Sequence, residues 1–383
     1  MIGMNSSLNR KVHVPFGALV NSLVDSMPSE RAVLLLYSFL QSHPTFLEIV
    51  VNQQAECDEG RALATRGRIE DLVCAVLRGL YNLETAHSVD HLYLLVICTL
   101  IMVQDVSLRS HLSRIQVNVP WYRERSLSEV SLTDLTILCI IRTVMHALFR
   151  LRDNYLVSNC YAVLLNLAPY IANMHSYSAE RLVTVTCRLG KRISKLISSK
   201  GETTKDSIPV SGGDTELEDT FRVFLKVIAI ALHPLQRASN VQLAYAMIHQ
   251  SHILDSLLCN FHYVDCGISQ QGSPVQTSFA NALDHASDGY LDWTGSPLQL
   301  VGMVNHYLAL LDKMRVQGVP TAKETISALR IEMEIRTKEY VDSNSSLQSS
   351  SGNHVLTYAF EEGETPESFF LPFSWVSMVN LLV

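Results

Sequence analysis

Apolar residues recur at helical spacing along most of this chain, and that periodicity limits the fold more than any other feature. Phe16, Leu19, Val20, Leu23, Val24 and Met27 fall at i, i+3, i+4 and i+7, so one face of a helix is apolar. Pro28 breaks this stretch and Ser29 offers a cap for a helix over Arg31–Ser42, with a short helix from Pro44. Further long helices are predicted to start near Arg66, Ser88, Leu132, Asp153 and Ser176. One pair per ~40–47 residues is the period of HEAT and armadillo repeats. The longer step from Ser88 to Leu132 contains a short helix over Ser107–Ile115 and the segment around Trp121. The reading is all-α: stacked helical hairpins forming an α-solenoid, or a large irregular helical bundle.

Composition agrees. Of the 383 residues, 48% are hydrophobic and 17% charged, enough apolar material for a sizeable core, and 17 Gly with 12 Pro are few for a turn-rich β-sandwich. The net charge of −7 argues against nucleic acid as a partner. The eight cysteines contain no C-x-x-C pair and sit mostly in apolar helical runs, as reduced thiols of a cytosolic protein would. The segment 1–13 is polar and flexible and carries no signal-peptide core. The run Leu92–Val103 is shorter than the ~20 residues needed to span a bilayer, so it reads as a buried core helix and any membrane contact as peripheral.

Residues 14–200 form a first helical repeat region and residues 201–214, with Pro209 and Gly212-Gly213, a linker. Repeats resume over residues 215–341, where Thr215 and Glu218 signal a helix start, interrupted by a Gly/Ser-rich loop at 264–296. Residues 342–383 combine a low-complexity stretch with an aromatic tail.

The glycine and ligand patterns of hydrolases, kinases, P-loops and dinucleotide-binding folds are missing from the sequence. His87, Asp90 and His91 have a spacing that would let two histidines share a helix face on a metal, which makes a metal-dependent helical enzyme the runner-up. The ordinary reading is a polar helix N-terminus. No cofactor or small-molecule substrate is expected. Arg142, His146 and Arg150 form a polar strip on the apolar helix Leu132–Arg152, suited to pairing with neighbouring helices or holding an acidic partner. Arg188, Lys191, Arg192 and Lys195 lie opposite the apolar stripe Leu182, Val185, Leu189, Ile193 and Leu196. They can face anionic lipid, or be a solvated outer face. Phe369, Phe370 and Trp375 can dock on the chain itself or on a partner.

From Trp121 onward the sequence resembles a known family. Trp121-Tyr122-x-Glu124-Arg125, Glu129-x-Ser131-Leu132, Ile141-Arg142-Thr143 and Arg150-x-Arg152-Asp153-x-Tyr155-Leu156-x-x-Asn159-Cys160 are similar to the dymeclin family. The likeness continues through Leu165-Asn166 and Tyr177-x-Ala179-x-Arg181 and returns at Glu367-x-Phe369-Phe370-x-Pro372-x-x-Trp375. It implies a non-enzymatic scaffold or adaptor, cytoplasmic and peripheral at the Golgi apparatus, needed for Golgi organisation and vesicle trafficking through contacts with Golgi-associated proteins. It also implies that this chain corresponds to the C-terminal half of a longer protein, and Met1-Ile2-Gly3 does not offer an N-terminal glycine for myristoylation. Trp121, Arg142, Arg150, Arg152 and Asp153 are the residues expected to contact partners or to hold the repeats together.

Overall fold

Ser29 accepts a hydrogen bond from the Ala32 amide, and in the same way Ser131 accepts from Asp134 and Asp153 from Leu156, so the polar residues before three of the apolar runs start helices as the sequence indicates. The computed structural model describes residues 16–27, 29–43, 45–56, 69–82, 89–200, 212–251, 253, 297–317, 320–344 and 357–360. The first six helices are α1 (Phe16–Ser26), α2 (Glu30–Ser42), α3 (Phe46–Glu56), α4 (Ile69–Tyr81), α5 (Val89–Gln104) and α6 (Val106–Leu112). A two-stranded hairpin follows, β1 (Gln116–Val119) and β2 (Leu127–Ser131), and then α7 (Leu132–His146), which runs into a π-helical turn at Ala147–Leu151. Next come α8 (Asn154–Leu167), α9 (Ser176–Lys200), α10 (Gly212–Ala231), α11 (Val241–His249), α12 (Pro297–Gln317) and α13 (Ala322–Asn344).

The helices stack in two layers. In one, α1 packs on α4, α4 on α7, α7 on α9, α9 on α11 and α11 on α13. In the other, α2 packs on α5, α5 on α8 and α8 on α10. Consecutive helices α1–α2, α4–α5, α7–α8 and α9–α10 pair across the layers as hairpins. This is the ladder of a helical-repeat protein, in which each pair buries its apolar stripe only by leaning on the next. The fold is all-α, with the small hairpin as its one sheet among the described residues.

Helix α7 shows why. Every residue from Leu132 to Ile141 is buried, because α4, α8 and α9 surround it. The stretch Leu132–Leu151 is long and apolar enough to cross a membrane, and most of it is buried among these neighbours.

The segment around Trp121, to which the sequence assigns no element, is a β-hairpin in an otherwise helical fold. Val117 pairs with Val130 and Val119 with Leu127, with a register shift between them. Glu129 takes a positive φ of 53° there, and its amide donates to the Asn118 side chain. Helix α10 begins at Gly212, earlier than the Thr215 signal indicates, so Gly212 and Gly213 are helical. Residues 201–211 and the expected loop at 264–296 lie outside the described residues, as does most of 342–383.

Buried polar side chains stitch the rungs together. The Asn240 amide donates to the carbonyls of Ile171 (2.7 Å) and Ala231 (2.8 Å), and its oxygen accepts from the Met174 amide. Thr321 and Glu324 form a reciprocal capping box at the start of α13. Residues Thr357–Phe360, remote in sequence, lie against α2, α6 and α8.

Candidate partner-binding surface

The loop of the β-hairpin is fixed by aromatic rings. Tyr81 at the end of α4 packs against Trp121 (5.5 Å between ring centroids) and Tyr122 (4.8 Å), and its hydroxyl accepts from the Arg123 amide. Tyr122 in turn meets Tyr177 of α9 edge-on at 6.1 Å. Trp121 is thereby half-buried on the fold.

This frame points Glu124 at two helices. Its carboxylate accepts from Arg142 of α7 (2.6 Å) and lies 3.6 Å from Arg181 of α9. It also accepts from the Tyr177 hydroxyl (3.1 Å) and, at 3.4 Å, from that of Tyr122. The Arg142 guanidinium sits 4.8 Å over the Tyr81 ring. Burial pushes both the Tyr122 and Tyr177 phenols up from their ordinary values, so both stay protonated donors. The Arg142 position in the polar strip is thus a structural pairing between neighbours. Glu124, which the sequence reading quotes but does not single out, is the centre of it.

Arg150 is not part of that centre. Arg150 lies in the π-turn at Ala147–Leu151, and no ion pair joins it to Glu124 among the described residues. Arg150 and Arg152 are both exposed. Arg152 closes the turn in the left-handed conformation, with φ of 55°. Asp153 is structural: it caps α8 through the Leu156 amide (2.9 Å) and accepts a hydrogen bond from the Tyr93 hydroxyl of α5.

The basic face of α9 lies beside this turn. Arg192 places its guanidinium 4.6 Å over the Phe149 ring. Arg188 and Lys195, one turn to either side, and Lys191 are exposed. Among the described residues no carboxylate pairs with Arg150, Arg152, Arg188, Lys191, Arg192 or Lys195. The result is a basic ridge on the α7–α9 edge.

The other sequence candidates do not converge. Asp90 is exposed while His91 is buried, so they leave α5 on different sides, and His87 lies outside the described residues. Among the described residues no group of three His, Cys, Asp or Glu side chains is placed to hold a metal. Phe369, Phe370 and Trp375 also lie outside the described residues. The described cysteines are free thiols; burial, with nearby Asp71 and Glu70, pushes Cys74 up to about 12, and burial pushes Cys187 up to about 11.

Comparison with known proteins agrees with the sequence motifs. Residues 3–377 match the family model described as "Dymeclin: Dyggve-Melchior-Clausen syndrome protein". A chicken (Gallus gallus) protein named Dymeclin is 25% identical over 389 residues, covering 99% of this chain and 50% of the relative. A Drosophila pseudoobscura relative of the same name is 26% identical, covering 94% of this chain and 46% of the relative. A Dictyostelium discoideum relative is 30% identical over 189 residues, covering 49% of this chain and 19% of its own length. The chain therefore spans about half the length of the curated animal relatives it matches. No solved structure matches it.

Proposed function

The chain belongs to the dymeclin family, and on that premise we propose that it is a non-enzymatic scaffold that serves Golgi organisation and vesicle trafficking. It does so by binding Golgi-associated proteins at the cytoplasmic face of the membrane. The observation that supports this reading is the basic ridge of Arg150, Arg152, Arg188, Arg192 and Lys195, exposed and free of carboxylate partners among the described residues. Such a surface complements an acidic partner and speeds its encounter. The test is proximity labelling in cells with the wild-type chain and with an Arg150→Ser, Arg152→Gly variant. Loss of labelled Golgi proteins with an unchanged circular dichroism spectrum supports the reading. An unchanged set of labelled proteins counts against it.

A second reading has its own observation. Arg188, Lys191, Arg192 and Lys195 share one exposed face of α9, and each basic side chain near an anionic membrane contributes roughly 1 kcal/mol. Co-sedimentation with vesicles containing phosphatidylserine, compared with neutral vesicles, separates direct lipid binding from recruitment through proteins.

A further inference from the structure

Asn166, at the end of α8, is fully buried, and its side-chain amide is engaged at both ends by one residue. Its Nδ2 donates to the Tyr358 carbonyl at 2.9 Å, and the Tyr358 amide donates to its Oδ1 at 2.8 Å. An amide side chain paired in this way reads the backbone of a single residue, whatever its side chain, as the edge of a sheet would.

Beside it, Arg109 of α6 is also fully buried. Its guanidinium donates to the Asn166 carbonyl (3.1 Å), the Gln104 carbonyl (3.4 Å) and the Thr357 hydroxyl (3.1 Å), and lies 4.8 Å over the Tyr170 ring. Its Nε–H has no acceptor among the described residues, and no carboxylate pairs with it there. A guanidinium held this deep on neutral acceptors is costly, and one of those acceptors belongs to the remote segment. Phe360 completes the contact, edge-on to Tyr37 of α2 at 6.4 Å. Thr357, Tyr358 and Phe360 are half-buried and Ala359 is exposed, and the segment joins no helix or strand.

We propose that Asn166, Arg109 and Tyr37 form a peptide-recognition groove whose resident ligand is the chain's own Thr357–Phe360. The groove accepts in trans a non-helical segment of the same pattern: a hydroxyl residue, an aromatic, a small residue and an aromatic. Asn166 selects backbone, Arg109 selects the hydroxyl and Tyr37 the second aromatic ring. The resident segment is tethered, so it competes at an effective concentration in the millimolar range.

The test uses the full chain and a labelled peptide spanning residues 354–362. Tyr358→Pro removes the amide that Asn166 accepts and frees the groove. The peptide is expected to bind this variant at least about tenfold more tightly than it binds the wild type, and binding is lost when Asn166→Asp is added. Equal binding to both, or none to the Tyr358→Pro variant when its thermal melt is unchanged, overturns the proposal. Should that variant fail to fold, hydrogen exchange of the wild type decides. An exchangeable ligand leaves the Tyr358 amide exchanging well before the core amides of α8, whereas exchange only on global unfolding makes the segment a fixed part of the core and overturns the proposal.

Discussion

Glu124 and Arg142 are joined at 2.6 Å across the gap between the β-hairpin loop and α7, and the same guanidinium caps the Tyr81 ring from α4. One carboxylate thus ties the hairpin to two rungs of the stack, since Arg181 of α9 reaches it as well. The Arg142 and Glu124 side chains keep 31% and 24% exposure, so solvent screens part of the attraction. Glu124→Gln should lower stability by about 1–2 kcal/mol in urea unfolding. A double-mutant cycle with Arg142→Gln should return a coupling of about 1 kcal/mol. Zero coupling would mean that the pair contributes nothing beyond its two separate contacts.

Asp134 gives the fold a pH dependence. Burial raises its carboxyl from 3.8 to about 7, although hydrogen bonds from the His175 amide and from Ser131 oppose the rise. The folded state therefore keeps this proton over a range where the unfolded state has lost it. Stability contributed by this group is complete below about 4, falls as pH rises to about 7, and stays lower above. A difference of that size is worth on the order of 4 kcal/mol at full ionisation. Asp134→Asn keeps an acceptor for His175, so its stability advantage over the wild type should grow from pH 5 to pH 8. His233, pushed down to about 4 by burial and Arg237, has the opposite slope and cancels in that comparison. An advantage independent of pH would show that Asp134 does not titrate in this range.

Arg152 holds a φ of 55°, a conformation that suits glycine. Its side chain is exposed. Arg152→Gly should raise stability by about 0.5–1 kcal/mol by relieving the left-handed backbone, while removing one charge of the ridge. A fall in melting temperature would instead assign the side chain a structural contact.

Asn240 serves three backbone groups, two in the loop before α9 and one at the end of α10. Asn240→Ala leaves the Ile171 and Ala231 carbonyls and the Met174 amide without this partner, and should cost on the order of 3 kcal/mol. The expected signature in chemical denaturation is a lower midpoint with an unchanged slope. A cost under about 0.5 kcal/mol would show that water replaces it easily.

The helices were legible because each rung leaves a local pattern. The apolar wheel of Leu132–His146 announces a helix surrounded by others, and Ser131 and Asp153 announce the starts of α7 and α8. The hairpin was not legible: β1 and β2 span four and five residues, too short to show alternation, and the helices around them supply their burial. Arg142 was visible as a polar residue on an apolar helix, but its partner 18 residues upstream follows no helical spacing. Arg150 follows Arg142 by eight residues, about 80° round an α-helix, so the strip the sequence suggests does not share one partner. Asn166 and Tyr358 are 192 positions apart, so nothing local in either segment marks their pairing.

That last pairing has a structural consequence. Within its layer, α5 stands between α2 and α8, yet Thr357–Phe360 reaches Tyr37 on one and Asn166 on the other. The short segment thus spans three rungs' worth of one layer through its contacts with Tyr37, Arg109 and Asn166, and bridges α2 to α8 past the helix between them.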